Sequence, residues 1–351
     1  MRIFAVTPGD PDGIGAEIVW KAIQTQRYAE NGIALLCVGA RAPFEKLGAK
    51  IIELDPADLS ARQLTPPQST STSPSPFVWL LPAPTLAPKK SQFLPGFQSG
   101  WSIEQATRLV LKGLCAAIVT GPISKERLQK GGYPFPGHTE MLSHLCRRGK
   151  KSPPVTMMLA NDQLRVTLVT IHTPLKRVPS ELTREELRRC VNQTADHLKR
   201  WWGIVRPKIA VTGLNPHAGE GGVLGKEEIQ IIEPELKALR RKWKDSVDLV
   251  GPLPADTLFA KHILAPPAQR YDAVVCMYHD QGLIPVKLLD FPRTVNVTLG
   301  LPIVRTSVDH GVGFDIAGQG KADPSSFQAA MTLAVRIAPH SSEKIARGTS
   351  S

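Results

Sequence analysis

Three histidines occupy comparable settings along this 351-residue chain. His172 follows the run Arg165–Thr170, His217 follows Lys208–Thr212, and His279 follows Ala273–Met277. Each run has the β-branched content of a strand, so each histidine is expected in a loop just past a strand's carboxyl end. One such histidine is most simply a loop cap, but three in equivalent positions point to a divalent metal. Neutral imidazoles with a fourth position left open suit catalysis by zinc or a similar ion.

A second group is Gly137-His138-Thr139-Glu140, at the start of a helical pattern. Backbone N–H groups at a helix start, with a hydroxyl and an imidazole beside them, can hold a phosphate or carboxylate. The plainer alternative is that Thr139 simply caps the helix. A third group, Lys287, Asn296 and Arg305, is cationic and polar. Arginine suits bidentate binding of an oxyanion, and lysine supplies a mobile point charge. The loop Thr7-Pro8-Gly9-Asp10-Pro11-Asp12-Gly13-Ile14-Gly15 resembles a dinucleotide fingerprint only loosely, because the third glycine is out of register. A tight turn leading into a helix is the expected role.

The elements that must position these groups alternate. Strands are expected at Arg2–Thr7, Ile33–Val38, Ala116–Thr120, Val155–Leu159, Arg165–Thr170, Lys208–Thr212, Ala273–Met277 and Thr294–Thr298. Helices are expected at Ile14–Gln24, Ile103–Leu114, Ser124–Gln129, Glu140–Arg147, Thr183–Trp201, Lys226–Trp243 and Ser326–Ile337. Strands separated by helices of this length predict an α/β fold with a mainly parallel sheet. Such sheets gather ligands at the carboxyl ends of their strands, where the candidate residues fall. Leu64–Lys90 holds seven prolines and a Ser/Thr run, which excludes a central strand and predicts a surface excursion with Phe77–Leu81 as an edge strand. The polar tail Ser341–Ser351 is expected to fray.

Length and composition set the outer limits. A chain of 351 residues exceeds the roughly 250–300 at which single cores stop growing, which predicts two lobes. These are expected as 1–130 with 320–351, and 131–319 with the metal and substrate site. The net charge of +12 admits either a nucleic-acid surface or a basic enzyme with anionic ligands. The basic clusters Arg147–Lys151 and Arg240–Lys244 are short and lack stacking aromatics, which argues against nucleic acid. Five widely spaced cysteines form no CxxC pair and are expected to be reduced and structural. No apolar run approaches the ~18 residues of a membrane span, and the N-terminus enters a strand-like segment directly. A cytoplasmic protein is expected.

Five segments occur in the order seen in one enzyme family: Thr7-Pro8-Gly9-Asp10-Pro11, Gly137-His138-Thr139-Glu140, the loop Gly213–Gly222, Tyr278-His279-Asp280-Gln281-Gly282, and Arg305-Thr306-Ser307-Val308-Asp309-His310-Gly311. Over about residues 2 to 337, outside the excursion, the chain resembles the 4-hydroxythreonine-4-phosphate dehydrogenases of pyridoxal phosphate (pyridoxine) biosynthesis. The resemblance implies the two-lobed fold of isocitrate and isopropylmalate dehydrogenases. It also implies a cleft active site and a homodimer whose subunits both contribute residues. By this resemblance, His172, His217 and His279 bind the divalent metal (Zn, Mg or Co). His138, Thr139, Lys287, Asn296 and Arg305 bind the phosphorylated substrate. Asp309–Gly318, with His310, Gly311 and Asp315, is similar to the cofactor loop of the isopropylmalate enzymes and would hold NAD. Asp12 and Ala16 stand where the family usually has Ala and Pro, Gly121 and Ser124 where Ala and Asn are common, and Val223 where His is frequent. Val312-Gly313 replaces a Thr-Ala pair in the NAD loop, leaving NADP open as the cofactor.

The reaction so implied is oxidation of 4-phosphooxy-L-threonine by NAD, then decarboxylation to 3-amino-2-oxopropyl phosphate. Lys287 and Asp280 are the candidates for proton acceptor. Two alternatives remain: a related dehydrogenase acting on 4-phospho-threonate or 4-phospho-erythronate, and a metal-dependent hydrolase without NAD. The loop His310–Gly318 favours a dehydrogenase over the hydrolase.

Overall fold

Short runs of Val, Ile, Leu and Ala become strands because both of their faces are covered, so every second residue enters a different core. The computed structural model describes residues 1–26, 28–55, 76–89, 91 and 93–338. The chain divides into two compact units, Met1–Pro154 with Leu301–Ser351, and Val155–Gly300.

The first unit carries strands β1 (Arg2–Thr7), β2 (Ile33–Gly39), β3 (Lys50–Glu53), β4 (Phe77–Pro82), β5 (Ile118–Thr120) and β12 (Arg305–Ser307), in the order β3-β4-β2-β1-β5-β12. Their pairings are parallel. Its helices are α1 (Gly15–Thr25), α2 (Ala42–Lys46), α3 (Leu94–Leu111), α4 (Lys125–Lys130), α5 (His138–Leu145) and, near the chain's end, α11 (Ser325–Ile337). β4 corrects one expectation. It pairs with β2 on one side and β3 on the other, so it is not an edge strand. The prolines bracket it, with only Pro82 at its last position, so the interior residues keep their donors. The rest of the Pro/Ser-rich stretch up to Ser75, and the tail Ser341–Ser351, lie outside the described residues.

The second unit carries β6 (Thr156–Ala160), β7 (Arg165–Leu168), β8 (Lys208–Thr212), β9 (Asp248–Leu253), β10 (Ala273–Cys276) and β11 (Val295–Leu299), in the order β11-β6-β7-β10-β8-β9. β6 runs antiparallel to both neighbours, and the remaining pairs are parallel. The expected α/β class with a mainly parallel sheet is therefore observed. Its helices are α6 (Val178–Glu181), α7 (Arg184–Trp202), α8 (Glu233–Trp243), α9 (Ala255–Leu264) and α10 (His279–Asp290). Strand β10 shows the two-faced logic directly. Ala273 and Val275 enter a core with Leu187, Val191 and Leu236, while Val274 and Cys276 enter another with Leu159, Leu258 and Leu283. All five cysteines are buried and free, and no described helix is long and apolar enough to cross a membrane.

The lobe boundaries differ from those expected. Residues 131–154 and 301–319 join the first unit, not the second. The cause is pairing and packing: β12 pairs with β5 in the register Arg305↔Ile118, and α5 packs on α3. The Gly137–Glu140 motif and Arg305 are thereby separated in the chain's organisation from the three histidines, which all belong to the second unit.

Candidate active site

The first unit places a buried guanidinium, an enclosed imidazole and a helix start near one another in their electrostatics. Helix α5 begins at His138 with Gly137 as its N-cap, and no side chain caps it. Thr139 lies inside the first turn, so the capping role considered for it does not hold, and the first backbone N–H groups stay open to a ligand. Arg305, the first residue of β12, is 3% exposed, and its Nε and Nη2 both donate to Thr120 Oγ1 at 3.1 and 2.7 Å. That fixes the guanidinium plane. Burial lowers its pKa to about 9, which leaves it charged at neutral pH. His138 is half-buried as a residue, but its Nε2 is enclosed and has no hydrogen-bond partner among the described residues. Desolvation first, then the charges of Arg305 and Lys125, hold its pKa well below the usual imidazole value. An enclosed, unpaired imidazole nitrogen beside two cations is what an anion site looks like before the anion arrives. Lys125, first residue of α4, was not singled out by sequence reasoning, nor was Thr120. The available signal was their place at the carboxyl end of strand β5 and at the start of the helix that follows it.

The second unit holds the histidines. His172 lies past β7, and His279 is the first residue of α10. The expectation of a loop at Tyr278–Gly282 is corrected there. Gly282 and Pro285 obscure the helical pattern, yet a Cβ at Gly282 would come within 3.0 Å of Leu168 and 3.1 Å of Cys276 Sγ. The glycine lets α10 sit directly on β7 and β10. The His172 and His279 ring centroids are 5.7 Å apart. Two imidazoles bound to one ion at about 2.0–2.1 Å would put their centroids roughly 5–6 Å apart, so this pair fits a divalent ion. His279 Nδ1 is 2.7 Å from Asp280 Oδ1, which leaves Nε2 for a metal. Asp280 is thus placed to orient a ligand, while its carboxylate remains largely exposed.

His217 stands apart. The residues His217, Ala218, Gly219, Glu220 and Gly221 all have positive φ, from 43° to 81°, and form a left-handed turn. Three of the five are not glycine, and each such residue costs about 1–2 kcal/mol. Among the described residues, no group of three His, Cys, Asp or Glu is placed to hold a metal ion. The structure brings two of the three expected ligands together and leaves the third exposed in a strained turn.

Lys287 lies two turns along α10 from His279, with Nζ 5.5 Å from the Phe291 ring centroid. Asn296 is half-buried on β11 opposite Leu159. Both belong to the second unit, so neither joins Arg305 and His138 within one unit.

The two glycine-rich loops of the first unit, by contrast, form one assembly. Ile14 N donates to Val312 O at 2.9 Å. Arg127 reaches Asp10 (3.2 Å) and Asp12 (2.7 Å) and lies 4.1 Å from the Phe314 ring centroid. Lys21 donates to the carbonyls of Gly320 and Ala322, and Glu17 accepts from Ala322 N. The Thr7–Gly15 loop is therefore a tight turn with a helix start, as expected, and also the seat of the 309–322 segment. There His310 Nδ1 donates to Gly311 O at 2.9 Å, leaving Nε2 as an enclosed acceptor without a partner among the described residues. Asp315 is exposed, and its carbonyl receives Gln319 Nε2.

An α/β protein with a buried guanidinium and an enclosed imidazole in one unit, two neighbouring imidazoles in the other and a glycine-rich loop seated against a strand–helix turn carries the kinds of groups that small-molecule enzymes use. The chain belongs to the PdxA family: the model of pyridoxal phosphate biosynthetic protein PdxA matches residues 37–334. It is 45% identical to a 4-hydroxythreonine-4-phosphate dehydrogenase of Caulobacter vibrioides, covering 96% of this chain and 98% of that one. It is 43% identical to a protein of Bradyrhizobium diazoefficiens provisionally named D-threonate 4-phosphate dehydrogenase, covering 96% and 97%. The crystal structure of 4-hydroxythreonine-4-phosphate dehydrogenase from Klebsiella pneumoniae superposes with a TM-score of 0.81 at 36% identity, covering 97% of this chain and all of that one.

Proposed function

We propose that the protein is a dehydrogenase, dependent on NAD and a divalent metal, that oxidises 4-phosphooxy-L-threonine and decarboxylates the product to 3-amino-2-oxopropyl phosphate. The observation that carries this reading is the enclosed, unpaired Nε2 of His138 beside the buried guanidinium of Arg305. A phosphate satisfies both. The names of the relatives at 40–45% identity point to the same substrate class.

In this reading Arg305, its guanidinium plane fixed by Thr120, binds the phosphate. The open N–H groups of α5 add dipolar attraction, and Thr139 adds a hydroxyl. His138 stays neutral and donates from Nε2 in that tautomer. Binding energy at this remote end positions the reacting carbon. Lys287 and Asn296 are proposed as further contacts of the substrate. His172 and His279 hold the divalent ion, with Asp280 fixing the His279 ring. When bound, the ion polarises the substrate hydroxyl, and NAD (or NADP) is the hydride acceptor. His310 Nε2 suits a ribose hydroxyl, and the seated loop around Gly311 and Asp315 gives the cofactor a rigid bed.

His217 completes the metal set once two copies of the chain come together. A homodimer is supported by Ile284 and Leu288 on the helix that starts with His279 and by Phe291 just past its end, which are 65, 84 and 63% exposed. The cytoplasm is the proposed location.

A second reading, oxidation of 4-phospho-threonate or 4-phospho-erythronate at the same site, is favoured by the Bradyrhizobium relative. Purified protein with Co²⁺ or Zn²⁺ and NAD, assayed for NADH on all three phosphorylated acids, separates the two. Turnover of 4-phosphooxy-L-threonine alone supports the first reading. Turnover of the threonate or erythronate ester alone overturns it in favour of the second.

A further inference from the structure

The strained turn that carries His217 must be held by something, and the structure shows what holds it. Glu228 is 1% exposed and lies beneath the turn. Its Oε1 accepts from the backbone N–H of Leu214 (2.7 Å) and Asn215 (2.8 Å), and its Oε2 accepts from Asn215 Nδ2 (2.9 Å). Asn215 Nδ2 also donates to Glu227 at 2.8 Å. The turn closes onto this carboxylate so tightly that a Cβ at Gly219 would sit 2.6 Å from Glu228 Oε2. Gln281 ties the base of the same loop to the neighbouring strand end. Its Nε2 donates to Gly213 O, and its Oε1 accepts from Met277 N and Thr212 Oγ1, each at 2.7 Å. Met277 is two residues from His279. One side chain thus registers the His217 loop against the start of the helix that bears His279.

We propose that Glu228 is a positioning residue of the metal centre, fixing the left-handed turn that presents His217, with Gln281 setting the register between that turn and His279. The inference rests on the metal reading above. A buried carboxylate whose two oxygens both accept hydrogen bonds from one loop is suited to this task. An amide in its place can accept at one oxygen only and turns a donor toward Asn215 Nδ2. No part of the carboxylate needs to touch the ion, substrate or cofactor. It acts by deciding where an imidazole stands before the ion arrives.

The test is titration of the purified full-length protein with Co²⁺, followed by its visible absorption and by calorimetry. Wild type, Glu228→Gln and Asn215→Ala are compared, with folding checked by circular dichroism and thermal melting. Glu228→Gln is expected to weaken Co²⁺ binding about 10–100-fold and to alter the ligand-field spectrum, while the melt shows a folded protein. Asn215→Ala should weaken binding in the same direction by less, and the double variant should lose less than the product of the two. Co²⁺ affinity and spectrum unchanged in a folded Glu228→Gln overturn the inference. If Glu228→Gln fails to fold, Asn215→Ala decides: unchanged affinity and spectrum overturn it. Absence of Co²⁺ binding by the wild type instead overturns the metal reading itself, so the two failures are distinguishable.

Discussion

The cradle around Arg305 and the histidine set around His279 are built by opposite means. In the first unit a charge is buried and its plane fixed by a neighbouring hydroxyl, and an imidazole is kept neutral by enclosure. These groups all belong to one unit of the chain, where the proposed phosphate would meet them. In the second unit the proposed ligands are exposed or half-exposed, one of them on a strained backbone turn. That site is assembled only in part. The difference matches the ligands proposed. A phosphate brought in with each substrate favours a preorganised pocket. A resident ion supplies enough binding energy to finish its own site.

The sharpest way to break this contrast is at the metal. Removing it with a chelator, or replacing His217 with Ala, should lower NADH formation by roughly 10³-fold or more. Binding of the phosphorylated substrate, read by calorimetry, should persist. If both are lost together, the two sites are not independent. Arg305→Met comes next, with kcat/KM expected to fall about 10²–10³-fold while Co²⁺ affinity stays at the wild-type value. Arg305→Lys should recover little of this, because an ammonium cannot reproduce the planar fork.

Smaller effects test the assembly and the cofactor bed. Leu288→Glu, among the exposed apolar residues Ile284, Leu288 and Phe291, should shift the proposed dimer to monomer in analytical ultracentrifugation and reduce metal occupancy. A monomer in the wild type would remove the proposed origin of the third ligand. Phe314→Ala should raise the KM for NAD by roughly 3–10-fold, about the worth of a cation–π contact of ~1 kcal/mol, with little change in the KM for substrate.

The pH dependence separates the units further. His197 on α7 is buried, its Nδ1 donating to Gln193 O (2.7 Å) and its Nε2 accepting from Gly300 N (3.1 Å). Burial pulls its pKa from 6.5 to about 4. The unfolded chain therefore binds the proton first. Stability falls as pH drops from about 6.5 toward 4, by up to about 3 kcal/mol, and levels off below. Urea melts at several pH values should show this slope, and His197→Gln should flatten it.

Much of the scaffold was legible. Helix α7 announces itself by Thr183, whose Oγ1 accepts from Glu186 N at 3.2 Å, and by an apolar stripe of period 3.6. Strands β1 and β8 fall where their β-branched runs stand. The three-residue β12 and the four-residue β3 were not legible, because strands so short carry no periodicity. Helix α10 was hidden by its Gly and Pro, which local propensity reads as loop and packing overrides.

For the site, the sequence by itself determined which side chains could do the chemistry: the three histidines, the helix start at His138, and Arg305. Their order along the chain and their residue types are enough for that, because donor sets and helix starts are local properties. Only the tertiary structure decided that Arg305 is buried and planar beside Thr120, since its burial comes from β12 pairing with a strand 187 positions earlier in register (Arg305↔Ile118). Only the tertiary structure could show His217, Ala218 and Glu220 in a left-handed turn over Glu228. No local preference favours that backbone. It is held because a buried carboxylate, from a helical segment that follows the turn, accepts from the N–H groups of Leu214 and Asn215 that lead into it.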